Sequence, residues 1–328
     1  MAGLPMTVAI GDYDHTRDLS SGLVDVDGLD LDFTVFDRPE PMFDAFVNGR
    51  QFDVSEMSMA VYCSLRSRGD DEFVAVPVFP ARSFRHGAIY VRSDGVRTVG
   101  ELDGARIGIP VWTQTAGIYV RGLLASDCGV DIHSVRWLQA GIDEPGRKEP
   151  VSIDLKGFSL ELRPEDSLDQ MLLDGEVDAV ISARPTRSVI VGDRRVRRLF
   201  EDFPVVERAY YERTRIFPVM HVVIVRRELV AAHPGLARSL YAAFEAAKVR
   251  SQQRALEATV PSFPLPWVSA HARETAATFG DDFWPYGITA NRPTLEAFLG
   301  FCADQEILAS PLTPEDLFPA EFFSESLV

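Results

Sequence analysis

The sequence predicts an α/β protein with two lobes and a ligand cleft between them. Short apolar runs such as Thr7–Ile10 and Ala105–Ile109 alternate with amphipathic helical patterns along most of the 328 residues, as in α/β folds. A weak repeat predicts that the lobes share a topology, since each copy has a short helical pattern ended by glycine and followed by an aspartate that opens a strand. The two copies begin at Arg38-Pro-Glu and Arg163-Pro-Glu, and their aspartates are Asp53 and Asp178.

Two longer β-rich segments indicate where the chain crosses between the lobes. Phe84–Val91 and Phe217–Val225 each carry a histidine near the start, and we expect them to pair as hinge crossover strands. The chain is thereby divided into lobe I, residues 1–90 plus 220–328, and lobe II, residues 91–219. Such a division places a ligand site at the interface, with loops from both lobes contributing.

Composition argues against several classes of function. A hydrophobic content of 46% and a charged content of 25% are typical of globular proteins. The formal net charge of −16 repels nucleic acid and anionic membranes. The N-terminus lacks the basic and apolar regions of a secretion signal, and no stretch is apolar enough to cross a membrane. We therefore expect a cytoplasmic protein that binds neither nucleic acid nor membrane.

Nucleotide, serine-hydrolase and metal sites have little support in the sequence. The three cysteines, Cys63, Cys128 and Cys302, are too widely spaced for a zinc motif or a disulfide framework. Neither a P-loop, a G-x-G-x-x-G motif nor a G-x-S-x-G elbow is present. Two histidines and a glutamate could form a metal site, but their spacing gives no support for one. We expect no metal and no cofactor.

Polar residues of lobe I follow two predicted strands, at the strand ends where α/β sheets bind ligands. The loop after the first strand supplies Tyr13, His15 and Arg17 as candidates, although it also suits a solvated turn. Glu56 follows a short strand and would point into the cleft, but a charge in the first turn of a helix explains it equally well. Ser58 would cap that helix or contact a ligand.

The predicted hinge segments carry two histidines and two arginines. Arg82 and His86 would share one face of a strand, with Arg85 on the other. An arginine pair beside a cleft suits a carboxylate, although surface ion pairs are the alternative. A lone histidine among valines, such as His221, is usually a core residue, but its expected pairing with His86 favours function.

Lobe II offers a second group of candidates at its strand ends. A helix begins near Thr113, Gln114 and Thr115, and its free backbone N–H groups would form an anion pocket. Arg121 lies two turns further along, facing either the cleft or solvent. The end of a later strand supplies Ser182 and Arg184 as the counterparts of the Glu56 loop.

Several motifs together resemble a known family. The chain is similar to 4,5-dihydroxyphthalate decarboxylases, which have a type II periplasmic-binding-protein fold. The motifs run in order along nearly the whole chain, and they are Gly11-Asp-Tyr-Asp14, Phe52–Ser58, Pro77–Arg82, Phe84-Arg-His86, Glu144–Arg147, Asp174–Ala179, Ile216–His221 and Gly280–Gly287.

The resemblance implies a carboxy-lyase whose ligand is a small aromatic carboxylate. 4,5-Dihydroxyphthalate would lose one carboxylate as CO2 and give protocatechuate. His86 and His221 would transfer protons, with Glu56 as the alternative base, and Arg82, Arg184 and the helix start at Thr113–Thr115 would clamp the retained carboxylate. A non-catalytic solute-binding protein and a related lyase for another hydroxyaromatic acid remain alternatives, and a homodimer is compatible with the sequence.

Overall fold

The computed structural model describes residues 3–26, 28–47 and 49–323, in which strands and helices alternate as predicted. The strands, numbered along the chain, are β1 (Leu4–Gly11), β2 (Leu29–Phe36), β3 (Val54–Ser58), β4 (Phe73–Val76), β5 (Ile89–Arg92), β6 (Arg106–Ile109), β7 (Arg136–Gly141), β8 (Ser159–Ser167), β9 (Ala179–Ile181), β10 (Val196–Arg198) and β11 (His221–Arg226). The helices are α1 (Asp14–Ser20), α2 (Pro39–Val47), α3 (Met59–Ser67), α4 (Thr115–Ser126), α5 (Leu168–Leu173), α6 (Arg187–Ile190), α7 (Phe203–Thr214), α8 (Arg227–Ala232), α9 (Leu236–Leu256), α10 (Val268–Phe279), α11 (Arg292–Asp304) and α12 (Pro314–Leu317).

The strands form two mixed sheets of matching topology. The first sheet has the order β2-β1-β3-β11-β4, and the second has the order β7-β6-β9-β5-β10 with β8 added beyond β7. In each sheet the fourth strand of this series, β11 or β5, runs antiparallel to both of its neighbours. The shared order confirms the predicted two-lobed α/β architecture.

The sequence repeat corresponds to equivalent positions in the two sheets. Asp53 lies just before β3, and its Oδ2 accepts a hydrogen bond of 2.9 Å from the backbone N–H of Thr7 in β1. Asp178 lies just before β9, and its Oδ2 accepts one of 2.9 Å from the backbone N–H of Arg106 in β6. Each aspartate therefore ties the start of its strand to the neighbouring parallel strand.

The two segments that cross between the sheets meet over only a few residues. Arg82 and Val219 form an isolated antiparallel bridge, and Met220 N–H donates to the Ala81 carbonyl over 2.8 Å. The predicted strand Phe84–Val91 is wrong in its first half, because His86–Ala88 is a 3-10 turn whose Gly87 N–H donates to Glu207. Arg82 and His86 therefore do not share a strand face. The predicted lobe boundaries stay predictions.

Apolar faces of both sheets pack against helices in one extensive core. Helix α4 buries Ile118, Tyr119 and Leu123 almost completely, and behind it Trp112 and Trp137 pack edge to face with centroids 5.6 Å apart. None of the helices in the described part of the chain is long and apolar enough to span a membrane. The core fixes the ends of β1, β3 and β11 beside one another, which positions the site described next.

Candidate active site

Two side chains and one backbone N–H converge on a single carboxylate of the first sheet. Glu56 Oε1, in β3, accepts hydrogen bonds from Tyr13 Oη over 2.6 Å and from His221 Nδ1 over 2.5 Å. Its Oε2 accepts a bond of 2.9 Å from the backbone N–H of Gly11. β3 lies between β1 and β11 in the sheet, so donors from the end of β1 and the start of β11 flank Glu56 on its two sides. The buried carboxylate is thereby fully satisfied.

Electrostatics keep Glu56 ionised in spite of its complete burial. Burial alone would raise the pKa of Glu56, but the charge of His221 and the hydrogen bonds from His221, Tyr13 and Gly11 outweigh it, so this pKa lies below its ordinary value. Burial, followed by the nearby Glu56 charge, raises the pKa of Tyr13. Tyr13 therefore stays a protonated donor. Since 17% of the His221 side chain and none of the Glu56 side chain is exposed, His221 is the member of this pair that a ligand can reach.

An aromatic wall extends from this cluster. The His15 ring lies 5.3 Å from Tyr13 and 5.2 Å from Trp284, measured between centroids. Burial lowers the pKa of His15 to about 4, so its ring is neutral at pH 7. Trp284 Nε1 donates to the Phe79 carbonyl over 3.1 Å, which fixes the loop Gly280–Gly287 against the first sheet.

The Arg82 guanidinium is buried and donates to backbone carbonyls of the chain. Its Nη1 donates to the Pro285 carbonyl over 2.9 Å and its Nη2 to the Phe217 carbonyl over 2.6 Å. The guanidinium carbon lies 4.2 Å from the centre of the Phe217 ring, and the residue is 7% exposed. Burial lowers the pKa of Arg82 to about 10, so it remains charged at pH 7. Arg82 thus joins both crossing segments to the loop before α11.

Arg85 is a half-buried cation between the sheets. Its Nη1 donates to the Ala183 carbonyl, after β9, over 3.3 Å, and its Nε approaches the Met220 sulfur, before β11, to 3.2 Å. None of its described hydrogen bonds or ion pairs is to a carboxylate. Burial lowers the pKa of Arg85 to about 10, which leaves it charged at pH 7. Of the predicted arginines, Arg85 is the one best placed to receive an anionic ligand.

His86 and His221 occupy different environments. His86 is buried between Phe200 and Tyr210, with ring centroids 5.7 and 5.1 Å away. Its Nδ1 lies 4.0 Å from Glu207 Oε1, and within the described chain neither ring nitrogen has a hydrogen-bond partner. Burial lowers the pKa of His86 to about 4. The predicted pairing of the two histidines on adjacent strands is wrong, because His221 pairs in register with Ser58 instead.

Two further predicted arginines lie at the surface in ion pairs. Arg17 has a side chain 57% exposed and binds Asp14 over 3.0 Å. Arg184 has a side chain 53% exposed and binds Asp143 over 2.7 Å. Next to Arg184, Ser182 is fully buried, and its hydroxyl has no partner among the described residues.

The predicted anion pocket at the start of α4 holds a carboxylate of the chain itself. Glu149 accepts hydrogen bonds from the backbone N–H groups of Trp112 and Thr113 and, over 2.7 Å, from the Thr113 hydroxyl. Thr115 Oγ1 accepts from the Ala60 N–H over 3.1 Å and lies 3.0 Å from Ser58 Oγ. Ser58 and Thr115 therefore join the first sheet to α4.

Two more candidate site residues, Arg121 and Gln114, lie near the start of α4. Arg121 is fully buried, with Nη2 donating to the Trp112 carbonyl and Nε to Gln305 Oε1, both over 2.6 Å. Burial lowers the pKa of Arg121 to about 9. Gln114 is half-buried, and its Oε1 is without a partner in the part of the chain that the structure describes. Arg121 thus faces neither solvent nor an open cleft.

Two polar residues near these elements were missed from the sequence. Gln139 is 5% exposed and lies opposite Ile109 at the carboxyl ends of β7 and β6. A glutamine inside the apolar run Trp137–Gly141 is a signal that could have revealed it. Glu149 lies in a long loop, and no local pattern marks it. Across residues 3–26, 28–47 and 49–323, no group of three His, Cys, Asp or Glu side chains is arranged to hold a metal ion.

The fold defines a type II periplasmic-binding-protein-like chain, and Tyr13, Glu56 and His221 form a hydrogen-bonded cluster in its first sheet. It aligns with the periplasmic aliphatic sulphonate binding protein SsuA from Escherichia coli at a TM-score of 0.56 and 13% identity, covering 98% of this chain and 99% of that one. It also aligns with a putative periplasmic sulfonate-binding protein SsuA from Methylobacillus flagellatus at 0.55 and 12%, covering 98% and 93%. These likenesses show the fold alone.

Sequence relatives identify the family. The chain is 35% identical over 321 residues to a 4,5-dihydroxyphthalate decarboxylase from Comamonas testosteroni, covering 97% of each chain. It is 37% identical over 205 residues to one from Pseudomonas putida, covering 62% of this chain and 79% of that one. The protein belongs to the 4,5-dihydroxyphthalate decarboxylase family, which confirms the resemblance noted from its motifs. No family model matches the chain.

Proposed function

We propose that the protein is a cofactor-independent carboxy-lyase that converts 4,5-dihydroxyphthalate to protocatechuate and CO2 in the degradation of phthalates. The family supports the substrate, since both relatives bear the name of that reaction. The observation that carries the mechanism is the cluster of Tyr13, Glu56 and His221, in which a buried carboxylate holds one reachable imidazole.

The reaction requires one proton at the ring carbon for each CO2 released. Each carboxylate of the substrate has a hydroxyl para to it, and loss of that hydroxyl proton directs electron density to the carbon that bears the carboxylate. Protonation of this carbon breaks the aromaticity, the carbon–carboxylate bond then breaks, and CO2 leaves as aromaticity returns. The hydroxyl proton is finally restored, so the net reaction consumes one proton.

His221 is assigned the transfer of the proton to the ring carbon. Imidazole is suited to proton transfer near neutral pH. Glu56 fixes the ring through Nδ1, which leaves the other ring nitrogen to act on substrate. His86 lies beneath Tyr210 and beside Glu207, so we assign it a supporting role for the neighbouring Arg85.

Arg85 is assigned the retained carboxylate. Its charge lies between the ends of β9 and β11 and is not neutralised by a described carboxylate in direct contact. Tyr13 and His15 would pack against the aromatic ring and leave its hydroxyls accessible. The start of α4 and the orphaned Ser182 hydroxyl would complete the lobe II side.

The cytoplasmic location and the homodimer stay predictions.

A solute-binding protein is the second candidate, because the solved relatives of this fold named above are binding proteins. Fold does not fix function, so turnover must decide between the two. The purified protein is incubated with 4,5-dihydroxyphthalate in the presence and absence of a chelator, and CO2 and protocatechuate are followed. Catalytic turnover unaffected by the chelator is expected. Stoichiometric binding without product would favour the solute-binding protein.

A further inference from the structure

We infer that the Glu149 carboxylate is the resting occupant of a carboxylate subsite at the start of α4, and that a ligand carboxylate displaces it. Glu149 accepts hydrogen bonds from two backbone N–H groups and from the Thr113 hydroxyl. These donors belong to the loop between β6 and α4, directly before the N-cap residue Gln114, and adjacent backbone N–H groups of this kind form an anion-binding concavity. The inference deepens the proposed function, on which it rests for the identity of the natural ligand.

Arg121 gives this subsite a buried positive charge. The residue is fully buried against the first turn of α4, and its Nη1 has no hydrogen-bond partner within the described residues. A Cβ added at Gly117, in that turn, would lie 3.2 Å from this nitrogen. Its other donors go to the neutral Trp112 carbonyl and Gln305 side chain. No described carboxylate is hydrogen-bonded to Arg121, but the charge of Glu149 partly offsets the lowering of the Arg121 pKa by burial. The buried cation therefore favours an anion at this position.

The subsite adjoins the proposed proton-transfer cluster. Thr115, two residues beyond Thr113, lies 3.0 Å from Ser58 through its hydroxyl. Ser58 in turn pairs in register with His221. These contacts connect the segment that holds Glu149 to the start of β11 at His221.

The loop that carries Glu149 has no regular secondary structure. Residues 142–158 connect β7 to β8 without a helix or strand. The loop is attached at one end by Asp143, which accepts a hydrogen bond of 2.8 Å from the Arg187 N–H, and at the other by Lys156 and Gly157, whose N–H groups donate to Glu306.

Between these attachments the Gly146 N–H donates to the Pro164 carbonyl of β8 over 3.0 Å, and other polar contacts link the loop to the side of the first sheet. Arg147 approaches Glu40 of α2 to 3.4 Å in a partly exposed pair, and the Arg68 side chain donates to the Ser152 carbonyl. Exposed pairs of this kind contribute little. Withdrawal of Glu149 would therefore break few strong contacts and would leave both ends of the loop in place.

The subsite is tested with phthalate, a dicarboxylate without hydroxyls that binds but has no para hydroxyl to drive decarboxylation. In Glu149→Gln the competing charge is lost. When Glu149 occupies the subsite roughly nine-tenths of the time, its removal should make phthalate bind about 5- to 10-fold more tightly. Asp154→Asn is the matched control, because Asp154 is on the same loop with a side chain 84% exposed, and its phthalate Kd should not change. Unchanged or weaker binding by Glu149→Gln would overturn the inference.

Hydrogen exchange of the wild-type protein gives a second readout that does not depend on a variant. Phthalate should speed exchange in residues 144–152 while it slows exchange at the start of α4. Slower exchange in both regions would mean that the loop closes over the ligand with Glu149 in place, which contradicts displacement. Because phthalate binding needs no turnover, failure to decarboxylate 4,5-dihydroxyphthalate would refute the proposed function and leave the subsite standing. Turnover with an unchanged phthalate affinity in Glu149→Gln would refute the subsite alone.

Discussion

His221 Nδ1 lies 2.5 Å from Glu56 Oε1, so that a partly exposed imidazole is held by a carboxylate with no exposed surface. The Tyr13 hydroxyl reaches the same oxygen over 2.6 Å. A carboxylate in this position fixes the tautomer and the orientation of the ring, as it does in other acid–base pairs. The relationship makes the two residues a unit, and removal of either should have the same kind of consequence.

Replacement of either member should slow turnover much more than it weakens binding. We expect His221→Gln and Glu56→Gln each to lower kcat about 10²- to 10⁴-fold, the usual contribution of a positioned proton-transfer group. Steady-state kinetics with 4,5-dihydroxyphthalate, combined with phthalate binding, separate the two effects. His233→Gln is the control, since His233 is exposed at the end of α8. Near-native kcat in both variants would exclude this pair from the chemistry.

Loss of Arg85 should weaken binding of the carboxylate. A hydrogen bond to a charged group contributes about 1.5–3 kcal/mol, so Arg85→Met should raise KM and the phthalate Kd about 10- to 100-fold. Arg17→Met removes an equal charge at the surface, where Arg17 pairs with Asp12 and Asp14, and should leave both constants unchanged. Equal effects of the two substitutions would show that overall charge, rather than a contact, governs binding.

Arg82 should matter for stability. Arg82→Met removes the donor of the Phe217 carbonyl, and a buried acceptor left unsatisfied costs about 1–3 kcal/mol. The Pro285 carbonyl loses one donor but keeps Asn291. The free energy of unfolding in urea should fall accordingly, whereas Arg184→Met, at an exposed pair, should change it by less than about 1 kcal/mol. An Arg82→Met protein as stable as the wild type, with weakened phthalate binding, would instead place Arg82 on the ligand.

Two buried histidines should make the protein sensitive to mild acid. Burial lowers the pKa of His15 and of His86 from 6.5 to about 4. Between about pH 4 and pH 6.5, both histidines are protonated in the unfolded chain but neutral in the folded chain. The stability that the neutral rings contribute is therefore complete above pH 6.5 and is lost as the pH falls towards 4.

The pH dependence of urea unfolding measures this effect. Each histidine contributes a slope of at most about 1.4 kcal/mol per pH unit. Between pH 7 and pH 5 the free energy of unfolding should therefore fall less in His86→Gln than in the wild type. An identical fall in both proteins would mean that His86 is protonated in the folded state.

The sequence was sufficient for the architecture because strand and turn patterns are local. The repeat around Asp53 and Asp178 marks equivalent strand starts, and a short motif suffices to reveal it. The two-lobed fold therefore followed from these patterns, whereas the family followed from the resemblance of the motifs. Glu56 was found among the candidates because it directly follows a buried strand residue.

The side-chain partners could not be predicted, because they depend on contacts between distant segments. His86 was expected on a strand, but Glu207, from α7, binds the Gly87 N–H and stabilises a turn there. Glu149 is 36 residues from Thr113 and occupies a pocket expected to be open to ligand. Arg82 binds carbonyls of residues 135 and 203 positions away, and no local pattern distinguishes it from Arg85.

The most direct test of the account follows the proton and the CO2 together. Purified protein is mixed in D2O with 4,5-dihydroxyphthalate labelled with 13C in both carboxyl groups, and the products are observed by NMR. The account predicts one labelled CO2 for each protocatechuate, deuterium at the vacated ring carbon, and a loss of rate of at least about 100-fold in His221→Gln. An absence of labelled CO2 from the wild-type protein, or an equal rate in His221→Gln, would contradict it.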